Sequence, residues 1–267
     1  RALRDMIETG RRAVAALAGA EPKQVVFTGS ATEAITQAIV GGAKAFASGA
    51  IALSAGEHAA VLKAAEATGL PRWTIPLDTD GRIDLDQLAA LLRRADDEGV
   101  TLLVALHWVN NETGVVQDMG RINALVGPTR HTLFIDAVQA CGKLPLDFAA
   151  SAPDMMAISG HKIGAAAGIG ALLVKAHADT VRLIPGGGQE QGRRGGTESV
   201  GLIAAFGAAA SACRYDVDAM RALTQKVEDG LRAMAPDVLI FGEKAERAGN
   251  VVNFAVPGVG NATAMMG

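Results

Sequence analysis

The chain reads as an α/β protein, a mostly parallel seven-stranded sheet covered by helices on both faces in a three-layer α/β/α arrangement. Three observations predict it. Short apolar runs alternate with longer amphipathic stretches along most of the 267 residues, the pattern of β-α units. The runs are almost continuously hydrophobic rather than alternating, as strands buried on both faces are. Polar and ionisable residues gather just after several runs, at the sheet edge where α/β proteins bind ligands.

The elements follow in order. A helical pattern spans Arg1 to Ala18, and the first apolar run is Val25–Thr28. Gly29-Ser30 then opens a helix over Thr32–Ala47. The next runs are Ile51–Ser54, Trp73–Pro76, Leu102–Leu106, Thr132–Ile135, Met155–Ile158 and Ile169–Val174. Between them, His58–Ala67, Leu85–Arg94 and Met119–Val126 carry helical patterns. Pro185–Gly196 is Gly-rich, yet it holds Gln189, Glu190, Arg193 and Arg194 and leads to a helix capped near Thr197, so a functional loop is expected there. Beyond Asp216 the pattern changes to a long helix, Val217–Met234, then strand-like Val238–Phe241 and Val251–Val256. The expected organisation is a large domain over 1–215 and the beginning of a smaller α+β domain over 216–267. Internal repeats and low-complexity tracts are absent from the sequence.

Composition narrows the function classes. Hydrophobic residues make up 49% of the chain, enough for a sizeable core. A net charge of −3 supplies no electrostatic footprint for nucleic acid or an anionic membrane. The two cysteines, Cys141 and Cys213, are too few for a disulfide framework and suit a reducing, cytoplasmic setting. No stretch reads as a leader or a bilayer span. No metal site is expected. The sequence starts inside a helical pattern without Met and ends inside another at Thr263-Ala264-Met265-Met266-Gly267, so a piece of a longer chain is expected.

Several segments carry chemistry. Gly29-Ser30-Ala31-Thr32 places helix N-terminal amides beside two hydroxyls, a ready anion site; an ordinary N-cap accounts for the segment taken alone. His58 follows a strand and opens a helix, where an imidazole can stack on a flat ring and move protons; a first-turn surface histidine is the plainer alternative. Asn110-Asn111 follows the most apolar strand, either as turn formers or with an amide directed at a ligand. Asp136 ends the strand Leu133-Phe134-Ile135, where an unpaired carboxylate is costly, and Gln139 lies one turn on. Its plainer role is to cap the following helix. Lys162, in Ser159-Gly160-His161-Lys162, either reaches solvent or is a buried amine ready to form an imine. A Lys for a Schiff base, a carboxylate for a pyridine nitrogen, and hydroxyl and imidazole groups for a phosphate are what pyridoxal phosphate requires.

Together the residues resemble the cysteine desulfurases of iron–sulfur cluster assembly, within the class V aminotransferase group of fold type I pyridoxal-phosphate enzymes. The matching stretches are Phe27 to Ala34, Glu57-His58, Val109 to Gln117, Asp136 to Gln139, Ser159 to Lys162, and Gly186 to Glu198. They occur in family order and at family-like spacing. The resemblance implies that Lys162 carries the Schiff base and that Asp136 pairs with the pyridine nitrogen. Gln139 and Asn111 would face the phenolic oxygen, Asn111 also the substrate carboxylate, and His58 would stack on the ring and assist proton transfer. Ala31 through its N–H, Thr32, Ser159 and His161 would bind phosphate. Thr197 would reach the phosphate of a partner subunit, implying a homodimer. L-cysteine would be the substrate, with its sulfur passed to an acceptor protein.

Three departures accompany the resemblance. The family's Ser-Gly before Ala-Thr is reversed as Gly29-Ser30. The Gly-Pro-Lys after the Schiff-base Lys is replaced by Ala165-Ala166-Ala167, which removes a rigid turn and a positive charge. The persulfide-forming Cys and the carboxylate-binding Arg fall beyond residue 267, and Cys141 and Cys213 read as packed small residues. Another class V enzyme (a selenocysteine lyase, a β-lyase or a small-substrate aminotransferase) would share all these cofactor residues. A non-catalytic scaffold of the same fold is the alternative from another class, and it would release no sulfide from cysteine.

Overall fold

The computed structural model describes residues 2–260. Of the helical pattern expected over Arg1 to Ala18 only Arg1 lies outside them, whereas the pattern expected at Thr263 to Gly267 lies wholly outside. Seven strands form one sheet: β1 (Val25–Thr28), β2 (Ala50–Ser54), β3 (Arg72–Ile75), β4 (Leu102–His107), β5 (Thr132–Asp136), β6 (Met155–Ser159) and β7 (Gly170–Val174). Their order is β1-β7-β6-β5-β4-β2-β3. Pairings from β6 through β3 are parallel, whereas β7 runs antiparallel to both β6 and β1. The sheet is therefore mixed but mostly parallel, as the apolar runs imply.

The strands bury residues on both faces, and consecutive side chains feed two separate cores. Val25, Phe27, Leu102, Val104, Leu106, Leu133, Ile135, Met156 and Ile158 join one core, with residues of α1 (Ala2–Leu17), α5 (Leu85–Asp97), α6 (Met119–Val126) and α7 (Val200–Ala212). Val26, Leu103, Ala105, Phe134, Met155, Ala157 and Leu172 join the other, with α2 (Ala31–Thr36) and α4 (Ala59–Ala67). Two cores flanking one sheet make the three layers.

Local chemistry sets the helix ends. Asp84 Oδ1 accepts from the N–H groups of Asp86 and Gln87 to start α5, and Asp118 caps α6. The helix expected over Thr32–Ala47 is interrupted: α2 passes through a π-helical turn, Gln37–Gly41, into α3 (Gly42–Ala45). Buried Gln37 accounts for the break, since its Nε2 donates to the carbonyls of Val181 and Arg193. Helix α1 lies against α7 so closely that a Cβ added to Gly207 would meet Gly10 Cα at 2.5 Å.

Two boundaries differ from the sequence reading. The helix expected to be capped near Thr197 begins at Val200, because the loop before it takes its own turns. After α8 (Val217–Met234), the second sheet is a single antiparallel pair, β8 (Leu239–Ile240) and β9 (Phe254–Ala255), shorter than the apolar runs suggest. Gly249 (φ 81°) and Gly258 (φ 79°) mark turns on either side of β9. Among the described residues, no single helix is long and apolar enough to cross a membrane.

Candidate active site

Five chain segments meet at the C-terminal ends of the strands. They enclose a cavity of about 370 Å³ lined by Ala31, Thr32, His58, Asn111, Asp136, Gln139, His161 and Lys162, together with Ile35, His107, Val109 and Val138. Eight of the ten residues singled out in the sequence thus line one cavity. Ser159 stands behind it, buried, with its Oγ 2.8 Å from His161 Nδ1. Thr197 is exposed and does not line this cavity. A wider cleft of about 760 Å³ lies elsewhere, walled by Asp78, Asp84, Asp86 and Asp118, but holds no such set of groups.

Asp136 dominates the floor. Its side chain is buried and accepts one hydrogen bond, from the Val138 N–H at 3.0 Å. Burial pushes its carboxyl up to about 6; the Val138 N–H works against that rise, the Glu57 charge adds to it, and His58 and His107 oppose it. Among the described residues it forms no ion pair with Lys or Arg. A desolvated carboxyl without a cation is a receptor for a protonated ring nitrogen.

The mouth is more open. Lys162 and His161 sit on a short 3-10 turn, Gly160–Ile163, in the connection between β6 and β7. Lys162 is exposed, so its amine is not the buried group that was one of the sequence alternatives. The reason is the turn itself, which lifts the residue off the sheet end. Partial burial and then the charge of Lys162 lower the proton affinity of His161. His58 ends the loop after β2 and accepts the Ala60 N–H on Nδ1 at 3.1 Å, so it is both N-cap and cavity wall.

Two sequence ambiguities resolve into separate residues. Asn110 is the turn former: its Oδ1 accepts the N–H groups of Glu112 and Thr113, and its Nδ2 donates to the Gly56 carbonyl. Asn111 is the one that lines the cavity. Likewise, Ser30 is an ordinary N-cap, accepting the Glu33 N–H at 3.1 Å, while exposed Thr32 lines the cavity. The helix start rests directly on β7, since a Cβ at Gly170 would meet Ala31 N at 2.6 Å.

Two partners escaped the sequence reading. Lys143 Nζ donates to the Gln139 carbonyl at 2.9 Å and to Gln139 Oε1 at 3.1 Å. That bond turns the donor end of the Gln139 amide free. His107 lines the cavity at the end of β4; a histidine closing the most apolar run was the available signal.

The class-V aminotransferase family matches residues 2–266. The cysteine desulfurase of Sinorhizobium fredii is 36% identical over 268 residues, covering 95% of this chain and 67% of that protein. The chain belongs to the class-V aminotransferase family, among the cysteine desulfurases. Cysteine desulfurase 2 of Trichormus variabilis is also 36% identical, over 92% of this chain, and this chain spans only 63% of its length. Among solved structures, the NifS-like protein from Rickettsia africae superposes with a TM-score of 0.87 at 29% identity, over 97% of this chain and 72% of that one. SspA in complex with cysteine matches with a TM-score of 0.80 at 30% identity, over 92% and 70%.

Pyridoxal phosphate is the cofactor of this family, and the cavity of this member fits it. The unpaired Asp136 carboxyl suits the ring nitrogen, and the helix start with Thr32 and His161 suits the phosphate.

Proposed function

We propose that the chain is the large domain (1–215) and the beginning of the small domain (216–267) of a pyridoxal-phosphate-dependent cysteine desulfurase. The observation that carries this reading is a buried, cation-free Asp136 facing the same cavity as Lys162 and His58. When bound, the cofactor supplies an aldehyde for an amine and a ring that delocalises the electron pair left at the substrate Cα. Lys162 Nζ would hold that aldehyde until the substrate amine displaces it and, once freed, would move the Cα proton, assisted by His58. Asp136 keeps the ring nitrogen protonated. Asn111 and Gln139 donate to the phenolic oxygen, Asn111 also to the substrate carboxylate, and Ala31 N–H, Thr32, Ser159 and His161 hold the phosphate.

The sulfur of L-cysteine then passes to a thiolate outside this chain, leaving alanine. Neither cysteine here suits that task. Cys141 is fully buried, and burial pushes its thiol up to about 12. Cys213 packs against Gly142. By the family resemblance, Thr197, which is exposed, would reach the phosphate of a partner subunit in a homodimer. In this reading the enzyme is cytoplasmic and hands sulfur to an acceptor protein in iron–sulfur cluster assembly or another sulfur-transfer pathway.

The test is the visible spectrum of the full-length protein. We expect a band that shifts on adding L-cysteine and is lost in Lys162→Ala. A protein that stays colourless with added pyridoxal phosphate would sink the reading. A band that ignores cysteine but responds to another amino acid would move the assignment to a different class V enzyme.

A further inference from the structure

Behind Asp136 lies a second set of polar groups that the roles above leave unused. Ser54 ends β2, Glu57 follows it, His107 ends β4, and Gln117 lies beyond the Asn110 turn. All four are buried, at 0%, 7%, 3% and 2% exposure respectively. Glu57 Oε1 collects three donors: Ser54 Oγ at 2.5 Å, the His107 backbone N–H at 2.9 Å and His107 Nδ1 at 2.8 Å.

The backbone decides which way this network runs. Gln117 Oε1 accepts the Ile83 N–H at 2.8 Å, and its Nε2 donates to the Gly81 carbonyl at 3.0 Å. The amide end facing His107 Nε2, at 3.1 Å, is therefore the donor. The imidazole offers its lone pair there and carries its hydrogen on Nδ1, aimed at Glu57. The chain of hydrogen bonds thus ends on Glu57, whose Oε2 is buried without a partner. Among the described residues, Lys and Arg form no ion pair with it. A buried carboxylate left this way is costly.

The location gives that cost a use. His107 stands directly beside Asp136 in the parallel β4–β5 register, and both line the cavity. Resting on the pyridoxal-phosphate reading above, we propose that Glu57 and His107 are positioning residues acting through Asp136. The buried Glu57 carboxylate, fixed by His107, supplies the negative field that holds a proton between Asp136 and the cofactor's ring nitrogen. The charged groups that act on Asp136 are Glu57 and His58 from the loop after β2 and His107 from β4, while His161 and Lys162 from the turn after β6 line the same cavity. Glu57 is the one acid among them, and its charge adds to the rise that burial starts in Asp136.

Glu57→Gln keeps an acceptor for Ser54 and His107 while removing the charge. In the full-length protein freed of cofactor, a ¹³C NMR titration of the Asp136 carboxyl, assigned by its loss in Asp136→Asn, reads the effect directly. The midpoint should fall by about one pH unit in Glu57→Gln. An unchanged midpoint overturns the proposal. This result does not depend on the cofactor assignment, which stands or falls with the Lys162→Ala spectrum. In the loaded enzyme, ¹⁵N-ring-labelled pyridoxal phosphate should lose its ring proton at lower pH in the variant, and coincident titrations would overturn the proposal. Glu57→Ala, which removes the same charge and leaves room for water, should shift the Asp136 midpoint the same way and serves if Glu57→Gln does not fold.

Discussion

Glu190 and Asp136 are both buried carboxylates, and the protein treats them in opposite ways. Glu190, in the Gly-rich loop, is met by both terminal nitrogens of Arg11, at 2.8 and 2.9 Å, and by the Phe27 N–H at 2.9 Å. Arg11 is 3% exposed and also donates to the Val25 carbonyl. The pairing holds the loop even though Glu190 and Gln191 sit in the left-handed region, at φ 48° and 58°. Asp136 has one backbone donor and no guanidinium. Where a carboxylate is structural, the fold brings it a bidentate cation. At the cavity, the fold leaves Asp136 desolvated and without a cation among the described residues.

The sharpest way to break this contrast is to strand Glu190. Arg11→Met should destabilise the protein by about 3–5 kcal/mol, because an uncompensated buried charge remains. Urea unfolding checks it, and a loss below 1 kcal/mol would mean that the loop simply hydrates. The converse holds for Asp136. It is protonated at low pH in both folded and unfolded chains, but only the folded form keeps its proton up to about 6. This group's contribution is therefore fully present below about pH 4 and is lost as pH rises through about 6, about 3 kcal/mol in all. Asp136→Asn should stabilise the cofactor-free protein by up to about 3 kcal/mol at pH 7.5, give no gain at pH 4, and abolish cofactor binding. Denaturation at the two pH values, with and without pyridoxal phosphate, separates the effects. Smallest is the loss of a positioning amine. Lys143→Met frees the Gln139 amide to rotate and should weaken cofactor binding about fivefold, about 1 kcal/mol, as read by fluorescence titration.

The parts of the site legible in the sequence are those whose role depends on position along one strand. Asp136, Lys162, Asn111 and His58 each follow an apolar run, so strand ends alone place them at one sheet edge. Their partners are another matter. Arg11 meets Glu190 from the far end of the chain, and His107 meets Glu57 only because β2 and β4 are neighbours in the sheet. No local pattern encodes such meetings. Lys143 and Gln139 are one helical turn apart, so their contact was available in principle, but a Gly-Lys after a cysteine carries no signal of its own. Short strands also escaped: Val251–Val256 is apolar but for Asn253, yet only Phe254–Ala255 finds a strand partner.

The order of the strands has a consequence for assembly in time. The turn carrying Lys162 is closed by its own neighbours, since Ser159 pairs with Gly170 across one hairpin. The start of α2, which walls the other side of the cavity, instead hangs on β1, whose partner is β7, with Val25 beside Leu173. During synthesis from the N-terminus, β1 and α2 emerge early but stay unpaired until the whole parallel block and β7 have been made. The cavity is thus completed by its earliest-made segment docking last, and any ligand that spans the cavity stabilises only the finished sheet.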